Sequence, residues 1–283
     1  RIMEIAHKTQ KRNYVDINEV FVQNIQEIQE LATNGKQKGI PTGFTLLDSK
    51  LEGGLHKTDL IILAARPGVG KTAFALNVAA HAARRGSKVM VFSLEMGDTQ
   101  LGQRLLSLSA SVALTNIRTA NLTNDEWESL SDAQDSFEGC DLVIDETSNI
   151  SPTEIKNKCR RFIQEKGDLD LVIIDYLQLM SMGSGYRIEQ REKEIGAITR
   201  AIKIMAKELN VAVILLSQLS RATEQRADRT PQLSDLRDSG SIEQDADIVI
   251  FLKRADYYEQ GKEEANTNPN EGLTCQVILA KHR

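Results

Sequence analysis

The sequence predicts an α/β fold in which a mostly parallel central sheet is covered by helices on both faces, and three observations carry that expectation. Short, continuously apolar runs alternate with amphipathic helical patterns along most of the chain, the signature of strands buried on both sides. One run, Leu60 to Leu63, passes through Ala64, Ala65, Arg66 and Pro67 into Gly68, Val69, Gly70, Lys71 and Thr72, and a helical pattern opens there. Another, Leu171 to Ile174, ends on the acid Asp175. At 283 residues and 41% apolar content, the chain can bury one large domain with an appendage.

Taken in order, residues 1 to 13 are polar and basic without periodicity. Asp16 with Glu19 then forms a capping-box pattern for a helix over about 16–34, whose apolar stripe is Ile17, Val20, Phe21, Ile25, Ile28 and Leu31. The stripe must be covered, either by its own domain or by a neighbouring copy of the chain; patterning does not distinguish them. Lys36, Gln37 and Lys38 read as a joint, so 1–38 is a linker segment and 39–283 the main domain. A loop-rich lead-in from Gly39 precedes the Leu60 strand. A helix over Ala73 to Arg85 stops at Gly86 and leads to a strand at Val89 to Phe92. Helices follow at roughly 98–111 and 124–137, the second boxed by Thr123 and Glu126, then a strand at Leu142 to Ile144 and a helix boxed by Ser151 and Glu154 with Pro152 in its first turn. The pattern continues with a strand at Leu169 to Leu179, a loop from Ser181 to Tyr186, and a long helix burying Ile195, Ile198, Ile202, Met205 and Leu209. Strands at Val211 to Leu216, Ile248 to Leu252 and Leu273 to Ala280 are separated by polar loops over 219–240 and 256–271. Both chain ends read as cut.

Composition excludes several classes. A net charge of −5 provides no overall basic field, so any nucleic acid must be held by a local, concave surface. Cys140, Cys159 and Cys275 show no paired spacing, which excludes a disulfide framework or thiolate zinc site and suits the reducing cytoplasm. No apolar run approaches the length of a membrane span.

The strand, the turn with Gly68 and Gly70, and the helix beginning at Lys71 read as a phosphate cradle. Unpaired backbone N–H groups and the positive helix end converge on one anion. Lys71 can reach β- and γ-phosphate oxygens and Thr72 can hold Mg²⁺; Ala65 stands where the usual motif opens with glycine. Asp175, at the carboxyl edge of a buried strand, can share that metal, the alternative being a capping aspartate. Asp145 after Leu142 to Ile144 has the same form and is read as a decoy. Glu95, after Phe92, Ser93 and Leu94, reaches the same edge, where a carboxylate can orient and deprotonate a water; otherwise it is a helix N-terminal charge. Ser217 and Gln218 end another strand, and a neutral amide there can sense a γ-phosphate and move the loop that follows.

With Ala65 to Thr72, Glu95, Asp175 and Gln218 in that order, the chain resembles the RecA-like P-loop ATPases, and more closely the DnaB family of replicative helicases. The segments that carry the likeness are Gly39-Ile-Pro-Thr-Gly-Phe with Leu47-Asp48, Phe92-Ser-Leu-Glu-Met, Asp175-Tyr-Leu-Gln-Leu, Leu216-Ser-Gln-Leu-Ser-Arg and Ser239-Gly-Ser-Ile-Glu-Gln-Asp-Ala-Asp-Ile-Val. They span 39–283; 14–34 resembles the family's linker helix, and its N-terminal domain is not represented. The resemblance implies a RecA-like motor in a ring hexamer, with ATP between subunits and single-stranded DNA in the channel, moving 5′ to 3′ and working with a primase and a helicase loader. By position, Arg66 to Ala73 would bind nucleotide, Thr72 and Asp175 the Mg²⁺, Glu95 would be the base and Gln218 the relay. Arg104 matches an arginine near the nucleotide, and Lys281 with Arg283 matches a pair entering the neighbour's site; alone, that pair reads as a basic strand end.

DNA contacts are expected on the loops at 181–194 and 219–240, with Arg237 and Gly240 matching positions where the family grips the phosphate backbone and Asp238 and Ser239 between them. Charge does not point there, because Arg221, Arg226, Arg229 and Arg237 are balanced by Glu224, Asp228, Asp235 and Asp238. Contacts multiplied around a ring could still hold a strand without sequence preference. Two other readings stay open: a RecA-like recombinase forming filaments, and a nucleotide-gated binding or loading module that does not unwind DNA.

Overall fold

The computed structural model describes residues 15–34, 39–182, 191–226, 229–236, 240–254 and 274–283. Its strands are β1 (Leu60–Ala65), β2 (Val89–Ser93), β3 (Leu142–Asp145), β4 (Leu171–Asp175), β5 (Ala212–Gln218), β6 (Ile248–Arg254) and β7 (Cys275–His282), in one sheet of order β3-β2-β4-β5-β1-β6-β7. Strands β1 to β6 are parallel, and β7 closes the edge antiparallel to β6. The helices are α1 (Ile17–Asn34), α2 (Thr45–Lys50), α3 (Lys71–Arg84), α4 (Asp98–Ala110), α5 (Leu114–Thr119), α6 (Asn124–Asp135), α7 (Pro152–Lys166), α8 (Arg191–Leu209), α9 (Ala222–Gln225) and α10 (Gly240–Asp245). The chain divides into two compact units, 1–38 and 39–283. In the first, Asp16 accepts the Asn18 N–H at 2.8 Å to start α1, on which Ile17, Phe21, Ile25 and Ile28 are exposed.

Why the sheet is covered on both faces is visible in β1, all six residues of which are buried. Side chains alternate across a strand, so Leu60, Ile62 and Ala64 join one core with Ile195, Ile198 and Ile202 of α8. Ile61, Leu63 and Ala65 join the other, with Ala75, Val78, Ala79 and Ala82 of α3. The alanines let α3 lie close over the strand that feeds it. Each buried branched side chain contributes about 1.5–3 kcal/mol.

The glycines of the lead-in close a small clasp. Ile40 and Leu55 exchange backbone hydrogen bonds at 2.7 and 2.8 Å, and Asp48 accepts from both the N–H and the hydroxyl of Thr42. At Gly54 the backbone has φ +119°, and a Cβ there would stand 2.2 Å from the Ile40 oxygen. Gly54→Ala is therefore expected to destabilise the domain by about 2 kcal/mol or more, read as a lower urea midpoint; an unchanged midpoint would refute the clasp.

Several expected boundaries move. The Leu169 to Leu179 strand ends at Asp175, because Leu177–Leu179 turns into a 3₁₀ helix. The last strand runs from Cys275 to His282 rather than from Leu273 to Ala280. The short helix α5 went unread; it has no buried residue and so no apolar stripe. Within the supposed loop 219–240, α9, a 3₁₀ turn at Leu233–Asp235 and a Leu219–Leu236 bridge are ordered around Asp235, which is 2% exposed and ion-paired to Arg226. The capping boxes at Thr123/Glu126 and Ser151/Glu154 are formed.

Candidate functional site

The parallel register brings the carboxyl ends of four strands to one edge. Ser93 pairs with Asp175, Ala64 with Ser217 and Ala65 with Gln218. After β1 the chain turns through Gly68 (φ +77°) and Gly70 (φ +114°), left-handed conformations that strain any side chain-bearing residue. At Gly70 a Cβ would meet nothing within 4 Å, so it is the backbone angle that requires glycine there. Gly70 is the N-cap of α3, so the helix begins at Lys71 with its free N–H groups facing the turn.

A pocket of about 350 Å³ opens at this edge. Arg66, Pro67, Gly68, Gly70, Lys71, Thr72 and Ala73 line one side; Glu95 from the turn after β2 and Arg104 from α4 line it too, with Asp175 and Gln218 at the neighbouring strand ends. Val69 does not line it: its side chain is 3% exposed and packs in the core beside α3. The Thr72 hydroxyl donates to Asp175 Oδ2 at 2.6 Å. Lys71 Nζ donates to the Ser217 carbonyl at 3.0 Å and stands 5.2 Å from the centre of the Tyr176 ring. Glu95 sits on a turn fixed by Ser93, whose hydroxyl donates to the Met96 carbonyl at 2.6 Å.

Burial lowers the Lys71 pKa to about 8, against the attraction of Asp175 and Glu95. Burial also raises that of Asp175, which is opposed by the Thr72 hydrogen bond and by Lys71. Both charges are therefore costly as they stand. A polyanion at Lys71 and a divalent cation at Asp175 would relieve them, which is the fit expected of phosphates with Mg²⁺. Arg104 Nε is buried without a hydrogen-bond partner, a donor a phosphate oxygen would satisfy. Among the described residues no group of three or more His, Cys, Asp or Glu could hold a metal.

Asp145, alike in sequence to Asp175, ends edge strand β3 and is ion-paired with Lys158 at 2.5 Å. Lys281 and Arg283 are not at the pocket. Ile248 opposes His282, so β7 ends beside the amino end of β6, and the Arg283 N–H donates to the Asp247 carbonyl at 3.2 Å. Asp247 in turn accepts the N–H of Leu60, the first residue of β1. The length of β1, about 16 Å, separates this pair from its own phosphate loop. Lys281 donates to the Glu243 and Ala246 carbonyls at the end of α10, whereas the Arg283 side chain is exposed. Arg237, Asp238 and Ser239 lie outside the described residues, as do 183–190; Gly240 opens α10.

Sequence reasoning missed three groups here. Tyr176 and Met96 line the pocket, each next in sequence to or one position from an acid already singled out. Gln178 donates to Ser217 Oγ at 3.1 Å and accepts from the Gln218 N–H at 3.3 Å, clasping the end of β5.

A parallel sheet whose strand ends surround a glycine turn, a lysine-threonine helix start and two acids is a P-loop fold of the RecA-like type. The chain belongs to the DnaB-like helicase C-terminal domain family, whose model matches residues 39–283. It is 46% identical over its whole length to the replicative DNA helicase DnaC of Bacillus subtilis and 45% to the replicative DNA helicase DnaB of Geobacillus stearothermophilus. It covers 60% and 61% of those proteins, so it spans about three-fifths of the relatives' length. Among solved structures, an ATPase domain 37% identical superposes with a TM-score of 0.85 over 96% of this chain and 92% of that one. A DnaB-like replicative helicase, described with its primase interactions, is 37% identical with a TM-score of 0.81 over 100% of this chain and 65% of that one. Among the described residues no helix is long and apolar enough to cross a membrane.

Proposed function

We propose that this chain is the motor of an ATP-driven replicative DNA helicase, working in the bacterial cytoplasm as a ring of six copies that translocates 5′ to 3′ on one strand and separates the duplex. The observation that supports it most is the convergence of Lys71, Thr72, Glu95 and Asp175 on one pocket, within a family of replicative helicases. Lys71 and the α3 N–H groups would balance charge on the β- and γ-phosphates. The Thr72 hydroxyl and Asp175 carboxylate would hold Mg²⁺, which when bound neutralises the phosphate oxygens. Glu95 would orient a water and take its proton as it attacks, and Gln218 would sense the γ-phosphate. Arg283 lies beside the start of β1, the opposite end from its own pocket, so the cation it supplies to a leaving phosphate would serve the adjoining copy, which would make hydrolysis depend on assembly. DNA contacts are proposed at Arg237 to Gly240 and around 181–194. A primase, named with one solved relative, and a helicase loader are the proposed protein partners.

Strand displacement on forked DNA tests this reading. With ATP, the protein is expected to release the complementary strand from a fork carrying a 5′ tail and not from one carrying only a 3′ tail, and its mass should be that of six chains. Release only from the 3′-tailed fork would reverse the assigned polarity. ATP turnover in a filament without strand release would favour a recombinase.

A further inference from the structure

At the end of β1 away from the pocket, one acid joins three elements. The Asp247 N–H donates to the Leu60 carbonyl at 3.0 Å, its carboxylate accepts the Leu60 N–H at 2.7 Å, and its carbonyl accepts the Arg283 N–H at 3.2 Å. Backbone and side chain alike hold the start of β1 beside the end of β7. From α8, Lys203 Nζ donates to the same Asp247 Oδ2 at 2.5 Å and to the Thr58 carbonyl at 2.8 Å. The Lys203 and Asp247 side chains are only 16% and 20% exposed. A pair so enclosed gives back in attraction little more than its desolvation costs, so stability alone does not account for it. Asp59 is close enough to feel both members: burial and then the charge of Asp247 raise its pKa, while Lys203, His56 and His282 oppose the rise. Lys203 is therefore the ammonium that lets two carboxylates stand near each other. Without it their repulsion is offset only by the two histidines, and Asp247 is pushed from the position in which it holds β7.

Strand β7 is irregular at the same place. Ile248 opposes His282 and Val249 opposes Lys281, but Ile250 opposes Leu279, so Ala280 is an extra residue in the ladder. Such a bulge bends a strand and re-aims the side chains beyond it. Beyond this one, Lys281 reaches the Glu243 and Ala246 carbonyls and Arg283 is exposed. A strand bent off its ladder needs another hold, and the hydrogen bond to Asp247 provides it.

We propose that Lys203 and Asp247 are positioning residues for the cation that Arg283 supplies to an adjoining copy: the pair anchors the end of β7 to β1 and α8, so that the guanidinium leaves the surface in one fixed direction. The inference rests on the helicase reading above and deepens it. Neither residue touches nucleotide, and both lie at the end of β1 opposite their own chain's phosphate loop. Losing the pair should therefore spare ATP binding and lower only the rate that depends on Arg283.

The test is a double-mutant cycle on steady-state ATP hydrolysis by the assembled protein, comparing wild type, Lys203→Met, Arg283→Ala and the protein carrying both changes. Lys203→Met is expected to keep the mass of the assembly and its affinity for a fluorescent ATP analogue, and to lose about tenfold or more of kcat, because a small misplacement of a catalytic group is costly. In the Arg283→Ala background the same change should lower kcat no further, since no cation is left to place. A fold merely weakened at Lys203 would lose the same factor with or without Arg283, and that additivity would overturn the proposal. So would a Lys203→Met kcat equal to that of wild type, or a folded Lys203→Met protein that no longer assembles. Should Lys203→Met not fold, Asp247→Asn, which keeps an acceptor for the Leu60 N–H, takes its place in the cycle with the same expectations. Unchanged turnover in Arg283→Ala would instead overturn the reading of Arg283 on which the proposal stands.

Discussion

Arg283→Ala is expected to bind ATP normally and to lose about 10³-fold or more of its hydrolysis in the assembled protein. The argument is geometric. Arg283 is fastened through its backbone N–H to Asp247, whose carboxylate holds the first residue of β1, while the phosphate loop lies at the other end of that strand. No rotamer of an arginine spans that length, so the cation cannot serve its own pocket. Its neighbour Lys281 is engaged with the carbonyls that end α10, and this fixes the strand end from which Arg283 projects. Substitution should therefore leave folding and nucleotide affinity intact, and steady-state turnover measured against protein concentration is the check. Wild-type turnover should rise steeply as copies associate, and the variant's should not. An equal loss at concentrations too low for assembly would contradict action on an adjoining copy.

Glu95→Gln is expected to retain ATP binding and to reduce turnover by about 10²–10⁴-fold, the range for a lost general base. Glutamine keeps the size of the side chain on the turn fixed by Ser93 and Met96 but cannot accept the proton of an attacking water. The change also removes one of the two carboxylates that favour the charged form of Lys71, leaving Asp175 to do so. Nucleotide affinity measured with a fluorescent ATP analogue should therefore shift little while the rate collapses. Unchanged turnover would remove the base assignment.

The α/β class and the phosphate loop were legible because their signals are local. Four buried apolar residues, a glycine turn and a lysine-threonine helix start sit within one short stretch of chain, and the chemistry of the turn follows from backbone angles that glycine alone adopts without strain. Strand order is not local. Asp145 and Asp175 each close an apolar run, and what separates them is that β4 lies inside the sheet between β2 and β5, while β3 is at its rim with Lys158 against its acid. The order within 219–236 escaped notice for a related reason. Its stability comes from buried Asp235 gathering Arg226 and nearby N–H groups, a polar nucleus with no hydrophobic period to read. Two of the acids in that charge balance are paired, Asp235 with Arg226 inside the segment and Glu224 with Arg66, 158 positions away.

The most direct test of the central claim, that one pocket grips the terminal phosphates while both acids converge on them, is a crystal structure with Mg²⁺ and a non-hydrolysable ATP analogue. The expected result is Mg²⁺ bound at Thr72 and Asp175, with the γ-phosphoryl group held by Lys71 and faced by Glu95. A nucleotide bound elsewhere, or one whose γ-phosphoryl group lies out of reach of Glu95 and Asp175, would contradict the account.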